Sequence, residues 1–275
     1  WRDPAVRRVL YLMPPAIFGA AISQVTLLVD SLFASFLVSG SISWLYYADR
    51  LMEFPLGIIG VGLSTVILPS LSKQHASGSK QEFARTLDWS VRCVLLIGIP
   101  AMLGLFLLAG PLVATLFQSG KFTHHDVIMT QQSLMAYALA VLGIMLAKIF
   151  SSAFYATQDI KTPVKISMGI LGFNIILNAT LIHNFAHVGL ALATSITSLI
   201  NAGLLYRKWR QLHAFKFQAG WQMFLLRVTL AAIGLAAFLW ALSPRVEVWL
   251  EWSRMQRVMS LVPLVIGGAL IYAGV

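Results

Sequence analysis

Asp49, Arg50 and Glu53 interrupt "SWLYYADRLMEFPLGIIGVGLSTVILP", residues 43–69, a run otherwise apolar enough to sit in lipid. Arg50 and Glu53 are three apart and can pair on one helical face. Asp49 and Glu53 are four apart and repel when both are ionised, so Asp49 requires another cation, a proton or a hydrogen-bonding cavity. A charge at this depth costs about 3 kcal/mol on insertion scales and therefore faces protein or water. Two chemistries meet that condition. One is a buried ion-pair cluster that fixes helix packing. The other is a wet cleft in which the planar guanidinium of Arg50 binds an anion such as phosphate.

A second set of polar residues lies at the same depth. Asp30 precedes Gly40 by ten residues and Asp49 follows it by nine. At 1.5 Å rise per residue both sit roughly 13 to 15 Å along their helices from a shared outer turn near "VSGSI". Asn174 and Asn178, four apart on one helical face, precede the "HNFAH" turn, and Thr194 follows it. Asp30, Asn174, Asn178 and Thr194 offer a cation only oxygen, which suits a hard ion such as sodium, with a proton on Asp30 as the competitor. The same amides and hydroxyl also serve as structural glue between membrane helices.

Other polar residues carry less chemistry. Arg92 can pair with Asp88, Arg227 can reach the interface and Lys148 has a long stem, so all three read as snorkelling side chains. His183 and His187 are four apart, but "HNFAH" lacks the internal glutamate of a metalloprotease and no third ligand is evident; His124 and His125 lie in another outer turn. Cys93, the single cysteine, forms no intrachain disulfide and reads as lipid- or core-facing filler. No nucleophile elbow, Walker A loop or dinucleotide fingerprint is present.

The elements that must position these residues are membrane helices. The 275 residues are 58% hydrophobic and 11% charged, whereas soluble domains have about 25% charged residues. The net charge of +10 comes from cations that punctuate apolar runs, not from a clustered basic face, so nucleic acid is excluded as a partner and membrane lipid is expected. Eight runs reach spanning length, near 9–38, 43–71, 84–109, 126–156, 162–182, 187–206, 221–242 and 257–275, and none alternates as a barrel strand does. The predicted fold is an all-α polytopic membrane protein. Pro14, Pro15, Pro55 and Pro100 predict kinks or breaks, and "AGPLVATLFQSGKF" a short interfacial helix.

Alternate loops carry Arg2, Arg7, Arg8, Lys73, Lys80, Arg85, Lys161, Lys165, Arg207, Lys208, Arg210 and Lys216, against Lys121, Arg245, Arg254 and Arg257 in the opposite loops. The first set marks the cytoplasmic side. The first run is too long for a signal peptide core. An opening without methionine and an ending inside an apolar run, "LIYAGV", read as part of a longer chain.

"WLYYADRLMEFPLGIIGVGLSTVILPSLS", "GKFT", "FYATQDIKTPVKI" and "GLALATSI", in this order, closely resemble the MurJ (MviN) family of bacterial lipid II flippases. That family falls within the multidrug/oligosaccharidyl-lipid/polysaccharide exporter superfamily. The match is strong over about residues 1–215 and looser beyond. The resemblance implies half of a transporter: residues 1–215 as the six-helix C-terminal lobe and 216–275 as the last two spanning helices, with the N-terminal lobe missing. It implies no enzyme activity, a bacterial inner-membrane location and lipid II, the undecaprenyl diphosphate-linked precursor, as cargo of alternating access.

By that resemblance Arg50, with Asp49 and Glu53 beside it, matches a cavity arginine that engages the lipid diphosphate. Asp30, Asn174, Asn178, Thr194 and the Leu190 carbonyl match a sodium site seen in some members. Asn178 stands where those members carry a second carboxylate, which weakens the expected cation affinity and leaves sodium or a proton as the coupling ion. The last two helices match a hydrophobic groove for the lipid tail. The rival functions are an ion-coupled exporter of drugs or other lipid-linked oligosaccharides, an intramembrane cell-wall transferase, and a purely structural scaffold.

Overall fold

A computed structural model describes the backbone of residues 4–274. It describes side chains from residue 24 onward except 59–61, 63, 64 and 275, and before that only those of Met13, Ile17, Ala21 and Ile22. The side chains of Arg2, Arg7, Arg8, Pro14 and Pro15, which carry part of the sequence expectations, lie outside the described residues. Ten α-helices and one π-helical turn make up the described fold, with no strand among the described residues.

Helix α1, Pro4–Ser35, has 32 residues. That is about 48 Å of helix, more than the ~30 Å hydrocarbon layer. The second predicted run is a helix in two pieces, α2 Ser41–Pro55 and α3 Gly62–Ala76, joined by the π-helical turn Leu56–Val61. Pro55 has no amide to bond the preceding turn, so the hydrogen-bond register changes directly after it. Pro100, by contrast, is accommodated inside the unbroken α4, Lys80–Leu107. The short helix α5, Ala109–Phe117, follows, where "AGPLVATLF" predicts one.

Helix α6, His124–Ala156, opens on a capping box. The Asp126 amide donates to the Thr123 hydroxyl at 3.4 Å and the Thr123 amide donates to Asp126 Oδ2 at 2.8 Å. It is the axle of the bundle. Two-thirds of its most apolar stretch is buried, against 22–28% for α4 and the last two long helices. It packs on α2, α3, α4, α5 and on α7, Lys161–His213. At Gly143 a Cβ would lie 2.6 Å from the Leu199 amide, so only glycine permits the closest α6–α7 approach.

The turn expected at "HNFAH", between the fifth and sixth runs, is a single-residue reversal. The helix persists through His183, Asn184 and Phe185 and reverses at Ala186 alone (φ 47°, ψ −128°). The reversal brings Gly189 against the Leu181 carbonyl, where a Cβ would meet the oxygen at 2.6 Å. Helix α7 therefore makes two passes. Helices α8 (Trp221–Leu242), α9 (Val246–Glu251) and α10 (Arg254–Ala273) complete the chain, with α8 on α4 and α10 on α8 and α5. Five described helices are long and apolar enough to cross a membrane. With α7 counted twice and with α1 and the broken α2–α3, they make the eight predicted passes. Exposed Leu28, Phe36, Phe54, Leu230, Trp240 and Leu270 give the outside a lipid-compatible surface.

The turns sort into two ends. The α3–α4 turn, residue 157 and the 211–216 segment line one cavity. At the other end Trp44 Nε1 donates to Asp126 Oδ1 at 2.8 Å and His187 Nε2 bonds the Met129 carbonyl at 3.2 Å. Lys80 and Lys216, from two of the cation-rich loops, share the first end.

Candidate functional site

Two helices and the axle build the site. Helix α1 supplies Asp30, α2 supplies Tyr46, Asp49 and Arg50, and α6 supplies Tyr137, all on one cleft of about 220 Å3. These residues, distant in the sequence, meet because α1 and α2 form a hairpin and α2 lies along α6. Tyr46 and Arg50, four apart, stack on one helical face, with the guanidinium carbon 4.9 Å from the ring centroid. Arg50 Nη1 donates to Glu53 Oε2 at 2.6 Å, and Arg50 Nη2 stands 3.7 Å from Asp49 Oδ2. The Arg50 and Glu53 side chains are 47% and 49% exposed, whereas Asp49 is 17% exposed. An exposed pair of this kind contributes little to stability. The guanidinium therefore has acids on one side and an open path on the other.

Behind this cleft lies a buried polar chain. Asn178 Nδ2 donates to Asp30 Oδ1 at 2.6 Å and to Asn174 Oδ1 at 3.1 Å, while the Thr194 hydroxyl lies 3.4 Å from Asp30 Oδ2 and 3.2 Å from the Leu190 carbonyl. Asp30, Asn174 and Asn178 are buried. Helix α1 meets both passes of α7 here, so the five residues singled out in the sequence come together. Asp30 faces both groups: it lines the Arg50 cleft and accepts from Asn178.

The oxygens of Asp30, Asn174, Asn178, Thr194 and Leu190 make a donor set that fits a hard monovalent cation. Asn178 Oδ1 is buried with no hydrogen-bond partner, which leaves one unused ligand in the set. The same amide presents its nitrogen to Asp30. Holding a cation between them requires Asn178 to turn over and give up two hydrogen bonds.

Sequence reasoning missed Thr197, Tyr137 and Trp221. Thr197 accepts from Asn174 Nδ2 at 3.3 Å, and its spacing of three from Thr194 is the signal that could have found it. Tyr137, buried in an apolar helix, carries no such signal. Asp88 and Arg92 pair at 2.8 Å as their spacing predicts, but Arg92 does not simply snorkel: its Nη2 donates to the Ala219 carbonyl at 3.1 Å and its guanidinium lies over Trp221 and Phe224. Asp88 Oδ1 accepts from Trp221 Nε1 at 2.6 Å, which ties α4 to the start of α8. The outer-turn histidines are not a described metal cluster; His187 is held by the Met129 carbonyl and by edge contact with Trp44.

Comparison with known proteins gives the same architecture a lineage. The chain is 43% identical over 276 residues to a probable lipid II flippase MurJ of Vibrio cholerae, covering all of this chain and 52% of that protein. To the probable lipid II flippase MurJ of Haemophilus influenzae it is 42% identical over 278 residues, covering 99% and 54%. The chain thus spans about half the length of these curated relatives. A solved lipid II flippase MurJ in an inward closed conformation superposes with a TM-score of 0.73 at 25% identity, over 94% of this chain and 52% of that one. An outward-facing multidrug resistance transporter of the MATE family shares the fold, with a TM-score of 0.64 at 15% identity, over 96% and 62%. The family model for the lipid II flippase MurJ matches residues 1–262, and the chain belongs to that family.

Proposed function

We propose that the chain, joined to the N-terminal lobe of its family, moves lipid II outward across the bacterial inner membrane by alternating access. The carrying observation is Arg50: a half-exposed guanidinium on the open wall of a membrane bundle, beside Asp30 and Asp49, in a chain of this family. Its planar fork suits a diphosphate, for which it would release Glu53 at 2.6 Å and the more distant Asp49 at 3.7 Å. The exposed apolar faces of α8 and α10, with Leu226, Ile233, Ile266 and Leu270, offer the polyprenyl tail a surface while it stays in lipid.

Outward movement of an anion is assisted by a negative cell interior, at about 2.3 kcal/mol per charge per 100 mV. The return step moves an empty cationic cavity. A bound sodium ion would supply one positive charge beside the cleft. Asp30 is the residue that senses it, since its two oxygens face Asn178 and Thr194 on one side and the Arg50 cleft on the other. A transferase reading has no support at the outer end, where Asp126 is engaged by Thr123 and Trp44.

The test is reconstitution of the complete protein, both lobes, in vesicles carrying labelled lipid II. Label exposed on the far leaflet is the expected result. Export of an organic cation with no lipid II movement, or chemical conversion of lipid II, would overturn the proposal.

The cation reading carries its own prediction. Asn178→Asp restores a second carboxylate opposite Asp30, so in the complete protein sodium should bind about tenfold tighter, about 1.4 kcal/mol, seen as a larger rise in melting temperature in sodium than in choline chloride. Without sodium the variant should melt below the parent, because two carboxylates then face each other. Equal melting of Asn178→Asp in both salts would remove the cation from the network.

A further inference from the structure

A second cavity lies far from the Arg50 cleft, at the cation-rich end of the bundle. It measures about 570 Å3 and is formed where the α3–α4 turn meets the end of α7. Its wall carries His75, Lys80, His213 and Lys216, and no aspartate or glutamate lines it. Trp209 forms its back: the ring stacks on His213 at 3.8 Å and on Phe83 at 5.5 Å, which makes a stiff aromatic surface. Its Nε1 donor, in a side chain only 2% exposed, has no hydrogen-bond partner. The first turn of α4 also opens here, and its N-cap, Ser79, makes no side-chain cap hydrogen bond.

These features call for an anion. Two ammonium groups, two imidazoles and the start of a helix whose N-cap makes no side-chain bond all favour negative charge, and Glu82, the acid in that first turn, is not part of the wall. The volume exceeds that of a bare ion and falls in the range of pockets that hold a small organic ligand. The helix ends place the cavity at the membrane surface, within reach of lipid phosphates and of soluble ones.

We propose that this cavity binds a phosphate ester at the cytoplasmic surface, separately from the transported cargo. The ligand's phosphate sits between Lys80 and Lys216 at the mouth, and its remaining polar part lies along the Trp209 and His213 rings. The source of the phosphate is either the headgroup of an anionic phospholipid or a soluble phosphate ester, and the experiment separates them.

The complete protein and its Lys80→Gln/Lys216→Gln variant are placed in nanodiscs of phosphatidylcholine with or without phosphatidylglycerol, and melting is followed at constant ionic strength. A parallel series adds glycerol 1-phosphate to the phosphatidylcholine discs. Protection by phosphatidylglycerol alone, weakened about thirtyfold in apparent affinity in the double variant, identifies the lipid source; each lysine near an anionic surface contributes about a factor of five. Protection by glycerol 1-phosphate, lost in the same variant, identifies a soluble ester. Equal protection of parent and variant, or none in either, overturns the site.

Both lysines are exposed, so their neutralisation is expected to leave folding intact. Should the variant melt early in phosphatidylcholine alone, the parent protein decides: acetylation of Lys80 and Lys216 must slow in the presence of the protecting compound while that of Lys165, away from the cavity, does not. Unchanged acetylation at both sites overturns the proposal independently.

Discussion

Arg50→Ala in the complete protein is expected to reduce lipid II translocation by roughly 30- to 4,000-fold while leaving expression and melting temperature nearly unchanged. The separation follows from exposure. At 47% and 49% exposed, Arg50 and Glu53 form a surface pair whose loss the fold tolerates. A diphosphate enclosed between two lobes is a different environment, where truncating one partner of a desolvated charge pair costs about 2–5 kcal/mol. At 1.4 kcal/mol per tenfold, that spans the stated range. Arg50→Lys keeps the charge and loses the bidentate fork, so it should fall between the two, about tenfold below the parent. The measurement is the initial rate of lipid II exposure in vesicles, paired with a melting curve. Translocation by Arg50→Ala at the parental rate would show that the guanidinium does not hold the cargo.

How far this site could be read from the sequence depends on the distance over which each signal acts. The shared depth of Asp30 and Asp49 follows from counting residues on either side of Gly40, because helical rise is nearly constant, and both residues line one cleft. The pairing of Asn174 with Asn178, and of Arg50 with Glu53, follows from helical spacing. What was not legible is what depends on packing between distant segments. Tyr137 looks like any buried aromatic until α2 lies against α6. The reach of Trp221 to Asp88 spans 133 residues and has no local pattern. The reversal at Ala186 was hidden for another reason. Alanine at positive φ costs about 1–3 kcal/mol and is not a residue that announces a turn, so "HNFAH" marked the turn but not the residue that makes it. The missing Cβ at Gly189, which lets the Leu181 carbonyl come close, is the one residue choice that fits so tight a reversal.

Arg257 shows the same limit with a larger energetic consequence. Counted in the sequence as an outer-loop cation, it is 6% exposed. Its guanidinium donates to three backbone carbonyls: Nε to Trp249 at 2.8 Å, Nη1 to Ala114 at 2.8 Å and Nη2 to Leu250 at 3.0 Å. Ala114 is in the later part of α5, and Trp249 and Leu250 are in the last turn of α9, so one cation satisfies carbonyls near the ends of two helices and lies where their dipoles favour it. Arg257→Ala removes three charge-assisted bonds and takes the donor from the Trp249 and Ala114 carbonyls, while the Leu250 carbonyl keeps only a 3.4 Å bond from Gln118 Nε2. At about 1–3 kcal/mol per unmet acceptor, with partial relaxation, a loss of about 3–5 kcal/mol is expected, and a fall in melting temperature of about 10 °C. Arg257→Met keeps most of the stem volume and none of the donors, so it should recover only the packing share, about 1 kcal/mol. Arg257→Lys can serve one or two carbonyls and should lie between. Fully buried Trp249 would be released with α9, so cleavage within 243–253 by limited proteolysis should accompany the loss. If Arg257→Ala melts within about 2 °C of the parent and that segment stays protected, the three hydrogen bonds are not what holds the outer end of α10 to the bundle.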